Sequence, residues 1–187
     1  QNHILATYGA NLRCDNDQRG ALEAALPNYD VLLLQMEIPF DVSVRAAQIA
    51  KNYGTRIILD PAPAVPIPKT VFTLFDIIVP NQTEAEFHTG IVVNDVDSAA
   101  QAADILLERG VSTAVIKMAE LGVFYRSRET EGFVPPFPVQ AVDTTSAGDA
   151  FHGALAVALA EGKNIDDAVH YGAAAGALAV TRPGVQD

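Results

Sequence analysis

Short apolar runs alternate with longer, alanine-rich amphipathic stretches along most of this 187-residue chain. This alternation constrains the fold most strongly, because nearly continuous apolar strands are typical of a parallel sheet that is buried on both faces. The runs that predict strands lie at 31–36, 56–60, 75–80, 113–117 and 122–126. The stretches that predict helices lie at 41–53, 83–90, 97–109, 147–161 and 165–180, and Asp41 is the expected N-cap of the first. We therefore expect residues 1–187 to form one α/β domain with three layers, in which helices cover both faces of a mostly parallel sheet.

Ligands of such sheets bind beyond the carboxyl ends of the strands. Polar residues at these positions are therefore the first candidates for chemistry. The residues and segments with this placement are Glu37, Asp60, Asn81 to Glu84, Lys117 to Gly122, and Asp143 to Asp149.

The segment from Asp143 to Asp149 carries the strongest functional signal. Its small residues Ser146, Ala147 and Gly148 would let a ligand approach the backbone, and the following helix directs unpaired N–H groups to the same place. Asp149, in the first turn, could accept a proton from an attacking hydroxyl. The alternative is a simple N-cap before a core helix, and for this segment alone the two interpretations are about equally good.

Three further polar residues each have two interpretations. Asn81 and Glu84 have the spacing of a capping box, but their place after Pro80 and a buried strand favours a ligand-binding role. Lys117 could contact phosphates or be an ordinary lysine at a strand end. Glu37 could contact substrate or be an exposed loop carboxylate.

Composition disfavours several classes of partner. The formal net charge of −11 would repel nucleic acid and anionic lipid, and no apolar run has the length of a membrane helix. Cys14 is the only cysteine, and the first residues show no signal-peptide pattern, so we expect a cytoplasmic protein without an internal disulfide. His152 is expected to be a packing or surface residue. No cluster has zinc-ligand spacing.

The string that begins at Asp143 and ends at Leu155 reads Asp-Thr-Thr-Ser-Ala-Gly-Asp-Ala-Phe-His-Gly-Ala-Leu. It resembles the signature of the ribokinase-like sugar kinases, the phosphofructokinase-B type. Other segments resemble this family in order and spacing, namely Val31 to Pro39, Leu59 to Ala64, Asn81 to Glu84, and Ala179 to Gly184. The resemblance covers almost the whole chain, and it is greatest to the ribokinase subfamily.

The resemblance implies transfer of a phosphoryl group from ATP to a sugar hydroxyl. Asp149 would be the catalytic base, and the N–H groups around Ala147 and Gly148 would hold the transferring group. The other implied contacts are with the nucleotide for Asn81, Lys117, Gly122 and Ser146, with the sugar for Glu37, with Mg²⁺ for Glu84, and with a monovalent cation such as K⁺ for Asp143 and Thr145. Backbone carbonyls near Ala179, Arg182 and Gly184 would complete the K⁺ site.

The chain departs from the family pattern at the nucleotide loop. Ala119 replaces a glycine and Leu121 replaces a usually polar residue, while Ala173 stands where many relatives carry an asparagine near the adenine. The resemblance therefore implies an altered nucleotide pocket.

The resemblance also implies an N-terminal portion with a Gly-Gly sugar motif and a small lid sheet, which are not among these 187 residues. We therefore expect a truncated ribokinase-like chain that corresponds to the C-terminal, nucleotide- and phosphate-handling part. Three functions stay open: a sugar kinase, a phosphatase in which Asp149 activates water, and a non-catalytic remnant that binds a nucleotide or a partner. Missing strands would leave an unpaired sheet edge, which predicts a homodimer.

Overall fold

A computed structural model describes residues 7–14 and 16–185. In chain order the helices and strands are α1 (Asn16–Ala25), β1 (Val31–Leu34), α2 (Phe40–Tyr53), β2 (Arg56–Leu59), β3 (Ile77–Ile78), α3 (Gln82–Thr89), α4 (Val96–Glu108), β4 (Thr113–Lys117), β5 (Val123–Ser127), β6 (Glu131–Val134), α5 (Ala147–Ala160) and α6 (Ile165–Ala179). Short 3₁₀ helices lie at Gly9–Arg13, Leu26–Asn28, Lys69–Leu74 and Ala119–Leu121. Among the helices of these described ranges, none combines the length and the apolar character of a membrane-spanning segment.

The six strands form one sheet in the order β1-β2-β3-β4-β5-β6. The first four strands are parallel, and β5 and β6 are antiparallel additions at one edge. The mostly parallel sheet is therefore confirmed, and the closely spaced fourth and fifth strands pair as antiparallel neighbours. Two elements were not predicted from the sequence, the edge strand β6 and the N-terminal helix α1.

Both faces of the central strands of the sheet are buried, as the continuous apolar runs predict. On β2, Ile57 and Leu59 belong to the core that includes α2 and α4, whereas Ile58 belongs to the core beneath α5 and α6. Alternate side chains of a strand point to opposite faces, so a strand between two helical layers has no polar face. This arrangement confirms the three-layer α/β architecture.

The third strand is shorter than predicted, but its backbone stays paired beyond its end. The N–H of Val79 donates to the Leu59 carbonyl at 2.9 Å, and the N–H of Lys117 donates to the Pro80 carbonyl at 2.9 Å. Pro80 has no N–H to continue a ladder. These bonds keep residues 79 and 80 aligned with the neighbouring strands up to the carboxyl ends of the strands, where the polar residues lie.

Two glycines of α6 bring this helix close to α5. A Cβ atom at Gly172 would lie 3.1 Å from the Phe151 ring, and one at Gly176 would lie 3.1 Å from the Ala147 carbonyl oxygen. Only a residue without a side chain permits this approach without a shift of the neighbour. The contact at Gly176 packs α6 directly against the first residue of α5.

The expected cap of α2 was wrong. Asp41 lies inside the first turn, because α2 begins at Phe40 after Pro39, and no side chain caps the helix. Pro39 occupies the N-cap position, and it has no side-chain oxygen that could accept from the first N–H groups of the helix. The Asp41 carboxylate still lies near the positive end of the helix dipole.

Candidate active site

Polar residues meet at the carboxyl ends of three adjacent strands. Asp60 follows β2, Asn81 follows β3, and Lys117 is the last residue of β4. Asn81 and Lys117 form an isolated parallel bridge that extends the sheet by one rung. Since β2, β3 and β4 are neighbours, the sequence correctly predicted that polar residues gather at this edge.

Helix α5 begins beside these strand ends. Ser146 precedes it in a left-handed conformation with φ 61, and its side chain makes no capping hydrogen bond. An α-helix provides no acceptor for its first N–H groups, which include those of Gly148 and Asp149. Asp149 is exposed in this first turn. Ser146 is therefore not a simple capping residue of α5. The N–H groups of Gly148 and Asp149 lie beside the exposed Asp149 carboxylate, without an acceptor inside the helix.

Lys117 lies against the start of α5. A Cβ atom placed on Gly148 would be 3.7 Å from the Lys117 Nζ atom, with no closer neighbour. The Lys117 ammonium group and the positive end of the α5 dipole therefore both lie beside Gly148. In a chain of net charge −11, this convergence brings together an ammonium group and backbone donors, which are the groups that can bind an anion.

Asp60 and His152 lie next to Lys117. The Asp60 Oδ1 atom is 3.7 Å from Lys117 Nζ, and its Oδ2 atom is 3.6 Å from His152 Nδ1. His152 is buried, and its Nδ1 lies 2.6 Å from the Gly148 carbonyl oxygen. Burial and then the charge of Lys117 lower the pKa of His152 below 6.5, so Nδ1 donates to that carbonyl from a neutral ring at neutral pH.

The sequence analysis listed Asp60 among the candidates that follow strands but assigned it no specific role, and it gave His152 no role in the site. Asp60 carried a usable signal, because it directly follows a buried strand. His152 carried none, since a histidine in an apolar helix is ordinarily a packing residue.

Asn81 and Glu84 form the capping box of α3. The Asn81 Oδ1 atom accepts from the Glu84 N–H at 2.9 Å, and the Glu84 oxygens accept from the Asn81 backbone at 2.8 Å and from its Nδ2 at 2.7 Å. Glu84 is buried, which raises the pKa of its carboxyl, although the hydrogen bond from the Asn81 backbone opposes this. Both interpretations of the spacing remain compatible with the structure, because the capping pair lies at the carboxyl ends of the strands beside Lys117.

A second cluster connects Asp143 with the segment after α6. Asp143 Oδ1 accepts from the Thr145 N–H at 2.9 Å, and Oδ2 accepts from the Gly184 N–H at 3.2 Å. These bonds, with Thr145 first, lower the pKa of Asp143. Between α5 and α6 lies an open cleft of about 710 Å³. Residues around the start of α5 and from the end of α6 onward line it, among them Thr145, Ser146, Asp149, Ala179, Arg182 and Gly184.

Gly122 and Ala119 shape the turn between β4 and β5. Gly122 has φ 101, and a side chain there would collide with the Val134 carbonyl, so the fold itself requires glycine at this position. Ala119 adopts φ 50, a left-handed conformation that glycine adopts without strain. The turn therefore keeps a glycine-type backbone even where alanine stands.

Glu37 follows β1 at the same end of the sheet. Its N–H donates to the Gln35 Oε1 atom at 3.0 Å, and its carbonyl accepts from Asn11 Nδ2 at 3.2 Å. Within the described ranges, no hydrogen bond or ion pair engages its carboxylate. The backbone is thus held while the acidic group stays available.

The described residues contain no group of three or more His, Cys, Asp or Glu side chains placed to hold a metal ion. The carboxylates near Lys117 and the start of α5 include Glu84, whose oxygens bond to Asn81, Asp60 beside Lys117, and the exposed Asp149. A hard cation that keeps most of its water suits such a donor set better than one that needs a complete protein cage.

Comparisons with known proteins extend over the whole chain. The family model described as pfkB family carbohydrate kinase matches residues 1–187. The ribokinase of Haemophilus influenzae is 40% identical over 186 residues, which cover 100% of this chain and 61% of that protein. A deoxyribokinase of Salmonella typhi is 32% identical over 186 residues.

Solved structures that are similar to this chain also include ribokinases. The ribokinase of Thermotoga maritima has a TM-score of 0.87 and 39% identity, and covers 100% of this chain. The Arabidopsis thaliana ribokinase in complex with ribose and ATP has a TM-score of 0.89 and 31% identity, and covers 99% of this chain. The match spans 61% of each of these two solved chains.

Proposed function

This chain belongs to the pfkB family of carbohydrate kinases, and from that premise we propose that it is the C-terminal, phosphate-handling part of an ATP-dependent sugar kinase. The observation that carries the proposal is the convergence at Gly148. There the Lys117 ammonium and the open first turn of α5 lie together, beside the exposed carboxylate of Asp149. The proposed acceptor is a pentose such as ribose, because the similar proteins include ribokinases and a deoxyribokinase.

In the proposed reaction, Asp149 is the catalytic base. Its carboxylate takes the proton of a sugar hydroxyl while that oxygen forms a bond to the terminal phosphorus of ATP, and the bond from this phosphorus to the ADP oxygen breaks. The N–H groups around Ala147 and Gly148 donate to the oxygens of the transferring group. The proton on Asp149 then passes to water.

The nucleotide contacts are assigned to Asn81, Lys117, Gly122 and Ser146, and the sugar contact to Glu37. Lys117 and Ser146 have the strongest support, because both adjoin the first turn of α5. Gly122 would contribute its backbone, since the fold leaves no room for a side chain there. Glu37 is supported by its place at the strand ends and by its carboxylate, with which no residue in the described ranges forms a hydrogen bond or ion pair.

Two cations belong to the proposal. Bound Mg²⁺ would neutralise phosphate charge, and Glu84 would hold it through water because Asn81 occupies both carboxylate oxygens. A monovalent cation such as K⁺ would be held by Asp143 and Thr145 together with backbone carbonyls. The hydrogen bond from Gly184 to Asp143 supports this second site, because it joins the two segments that would supply the ligands.

Product identification tests the proposed function. The purified protein is incubated with ATP, Mg²⁺, K⁺ and either ribose, 2-deoxyribose or fructose, and the products are analysed by mass spectrometry and phosphorus NMR. We expect a pentose phosphate and an equal amount of ADP. Phosphate release without a sugar would instead identify water as the acceptor, and no product from any sugar would overturn the proposal.

The proposal includes a homodimer. Within the described sheet, β1 pairs on one side only, and Leu33 on this edge strand is 43% exposed. An edge with free N–H and C=O groups and an apolar side chain is a template for pairing with a second copy.

A further inference from the structure

Asp60, Lys117 and His152 form a connected group beneath the start of α5. Lys117 Nζ lies 3.7 Å from Asp60 Oδ1, and His152 Nδ1 lies 3.6 Å from Asp60 Oδ2. The side chains of Asp60 and Lys117 are each 16% exposed. The proposed reaction uses Lys117 but gives no task to Asp60 or His152, so their presence needs a separate explanation.

The Lys117 ammonium needs an interaction partner outside its own side chain to stay beside Gly148. The backbone of Lys117 is fixed by the sheet, but its four-carbon stem rotates freely unless its end has a partner. Among the described residues, Asp60 is the one ion-pair partner of Lys117. Without this carboxylate, the ammonium would sample several rotamers, and few of them lie beside the first turn of α5.

Asp60 is itself held in the right place. The chain enters the site from β2, and the Asp60 N–H donates to the Leu34 carbonyl at 2.8 Å. On the other side is His152, which contacts both the Asp60 carboxylate and the Gly148 carbonyl. The Asp60 Oδ1 atom has no hydrogen-bond partner among the described residues and therefore keeps its capacity to accept from the ammonium.

We propose that Asp60 is a positioning residue that holds the Lys117 ammonium at the start of α5, ready for the phosphates of the nucleotide. This inference rests on the proposed function, because it takes the nucleotide phosphates as the ligand. Charge alone predicts the opposite effect of Asp60, since a carboxylate near an anion site repels the anion. The sign of the effect of removing Asp60 therefore separates positioning from simple charge.

The first experiment tests the hold on Lys117 without any ligand. The chain has four lysines, Lys51, Lys69, Lys117 and Lys163, so selective ¹⁵N-lysine labelling gives few Nζ signals, and Lys117→Arg assigns one of them. In the wild type we expect a Lys117 Nζ–H cross-peak that survives solvent exchange at low temperature. It should vanish in Asp60→Asn and persist in Asp104→Asn, which removes an exposed carboxylate paired with Arg126.

The second experiment measures binding of a non-hydrolysable ATP analogue with Mg²⁺ by calorimetry. Asp60→Asn should weaken binding about tenfold, which corresponds to the rotamer freedom that a released lysine regains. Asp60→Glu keeps the charge but moves it by one methylene, so it should also weaken binding, and it serves if Asp60→Asn does not fold. Asp104→Asn should bind like the wild type.

The outcomes separate this inference from the proposed function. A Lys117 signal that survives in Asp60→Asn overturns the inference, and so does analogue binding that is unchanged or tighter in that variant. In both cases the proposed function stands when the wild type binds the analogue, because the proposed reaction does not require Asp60. A wild type that binds no analogue overturns the nucleotide role of the whole site, including that of Asp60, even if the Lys117 signal depends on Asp60.

Discussion

Gly148 is the residue at which the strand ends and the start of α5 meet. Its missing side chain leaves space between the helix backbone and the Lys117 ammonium, where a Cβ atom would be 3.7 Å from Nζ. Gly153 lies in the same helix, but a Cβ atom there would contact nothing within 4 Å. These two glycines therefore form a matched pair, in which only the first adjoins the proposed phosphate position.

Replacement of Gly148 by alanine should separate folding from binding. We expect Gly148→Ala to preserve or raise stability, because alanine favours a helix over glycine by about 0.5–1 kcal/mol. The added methyl group should nevertheless weaken ATP-analogue binding at least about tenfold, since it occupies the approach to the backbone. Thermal unfolding and calorimetry check both effects. Gly153→Ala should raise stability similarly without a binding change, and equal binding by the two variants would contradict the assignment.

His88 predicts a pH dependence of stability. Burial, and then the charge of Arg109, lower its pKa from 6.5 to about 4. Below pH 6.5 the unfolded chain binds a proton here that the folded chain does not, so the stability from neutral His88 is present above pH 6.5 and is lost as the pH falls towards 4. We expect His88→Gln to remove about 2 kcal/mol of the stability difference between pH 7 and pH 4, after allowance for solvent screening.

Denaturant unfolding at several pH values measures this difference. His170→Gln is the control, because His170 is exposed on α6. His152 contributes equally to the wild type and to both variants, so the subtraction isolates His88. A wild type and a His88→Gln variant with parallel pH profiles would contradict the prediction.

At the scale of elements, the packing of α6 against α5 connects stability to the site. Gly176 of α6 lies against the carbonyl of Ala147, the first residue of α5. A methyl group at 3.1 Å from this oxygen forces one of the helices to move. We expect Gly176→Ala to destabilise the protein by about 1–3 kcal/mol and to weaken analogue binding, although alanine favours an isolated helix. Unchanged stability and binding, measured beside Gly153→Ala, would contradict this coupling.

An element can be predicted from the sequence when local residues determine it, and it is missed when contacts with distant parts of the chain determine it. The parallel strands have continuous apolar runs, α2, α4, α5 and α6 have amphipathic or alanine-rich sequences, and α3 has a capping box, so local sequence predicts them. Strand β6 reads Glu-Gly-Phe-Val, and its pairing with β5 comes from tertiary context rather than from propensity. Helix α1 reads Asn-Asp-Gln-Arg-Gly-Ala-Leu-Glu-Ala-Ala, whose apolar pattern is weak. Both therefore escaped prediction.

The same distinction applies to the site. The segment from Asp143 to Asp149 and the pair Asn81 and Glu84 are local motifs, so their positions could be predicted from spacing. The contact of His152 with Asp60 joins a residue of α5 with one that follows β2, and these lie far apart in the chain. No local pattern encodes such a pair, because the fold creates it.

At the scale of the whole molecule, the edge of β1, which pairs with no second strand among the described residues, predicts self-association. We expect light scattering to give the mass of a dimer, and Leu33→Lys to shift the population to monomer, because a lysine on an edge strand opposes pairing. Val92→Lys is the control, since Val92 is 60% exposed in a loop outside the strands. A concentration-independent monomer for the wild type would contradict the proposed dimer.

The central claim is that the start of α5 is a phosphoryl-transfer site in which Asp149 is the base. The most direct measurement compares ribose-dependent ADP formation by the wild type and by Asp149→Asn, together with ATP-analogue binding. We predict that kcat falls at least about 100-fold in Asp149→Asn, because general base catalysis is lost, while the Kd for the analogue stays within about threefold. Asp149→Asn turnover within about threefold of the wild type would contradict the assignment of Asp149 as the base.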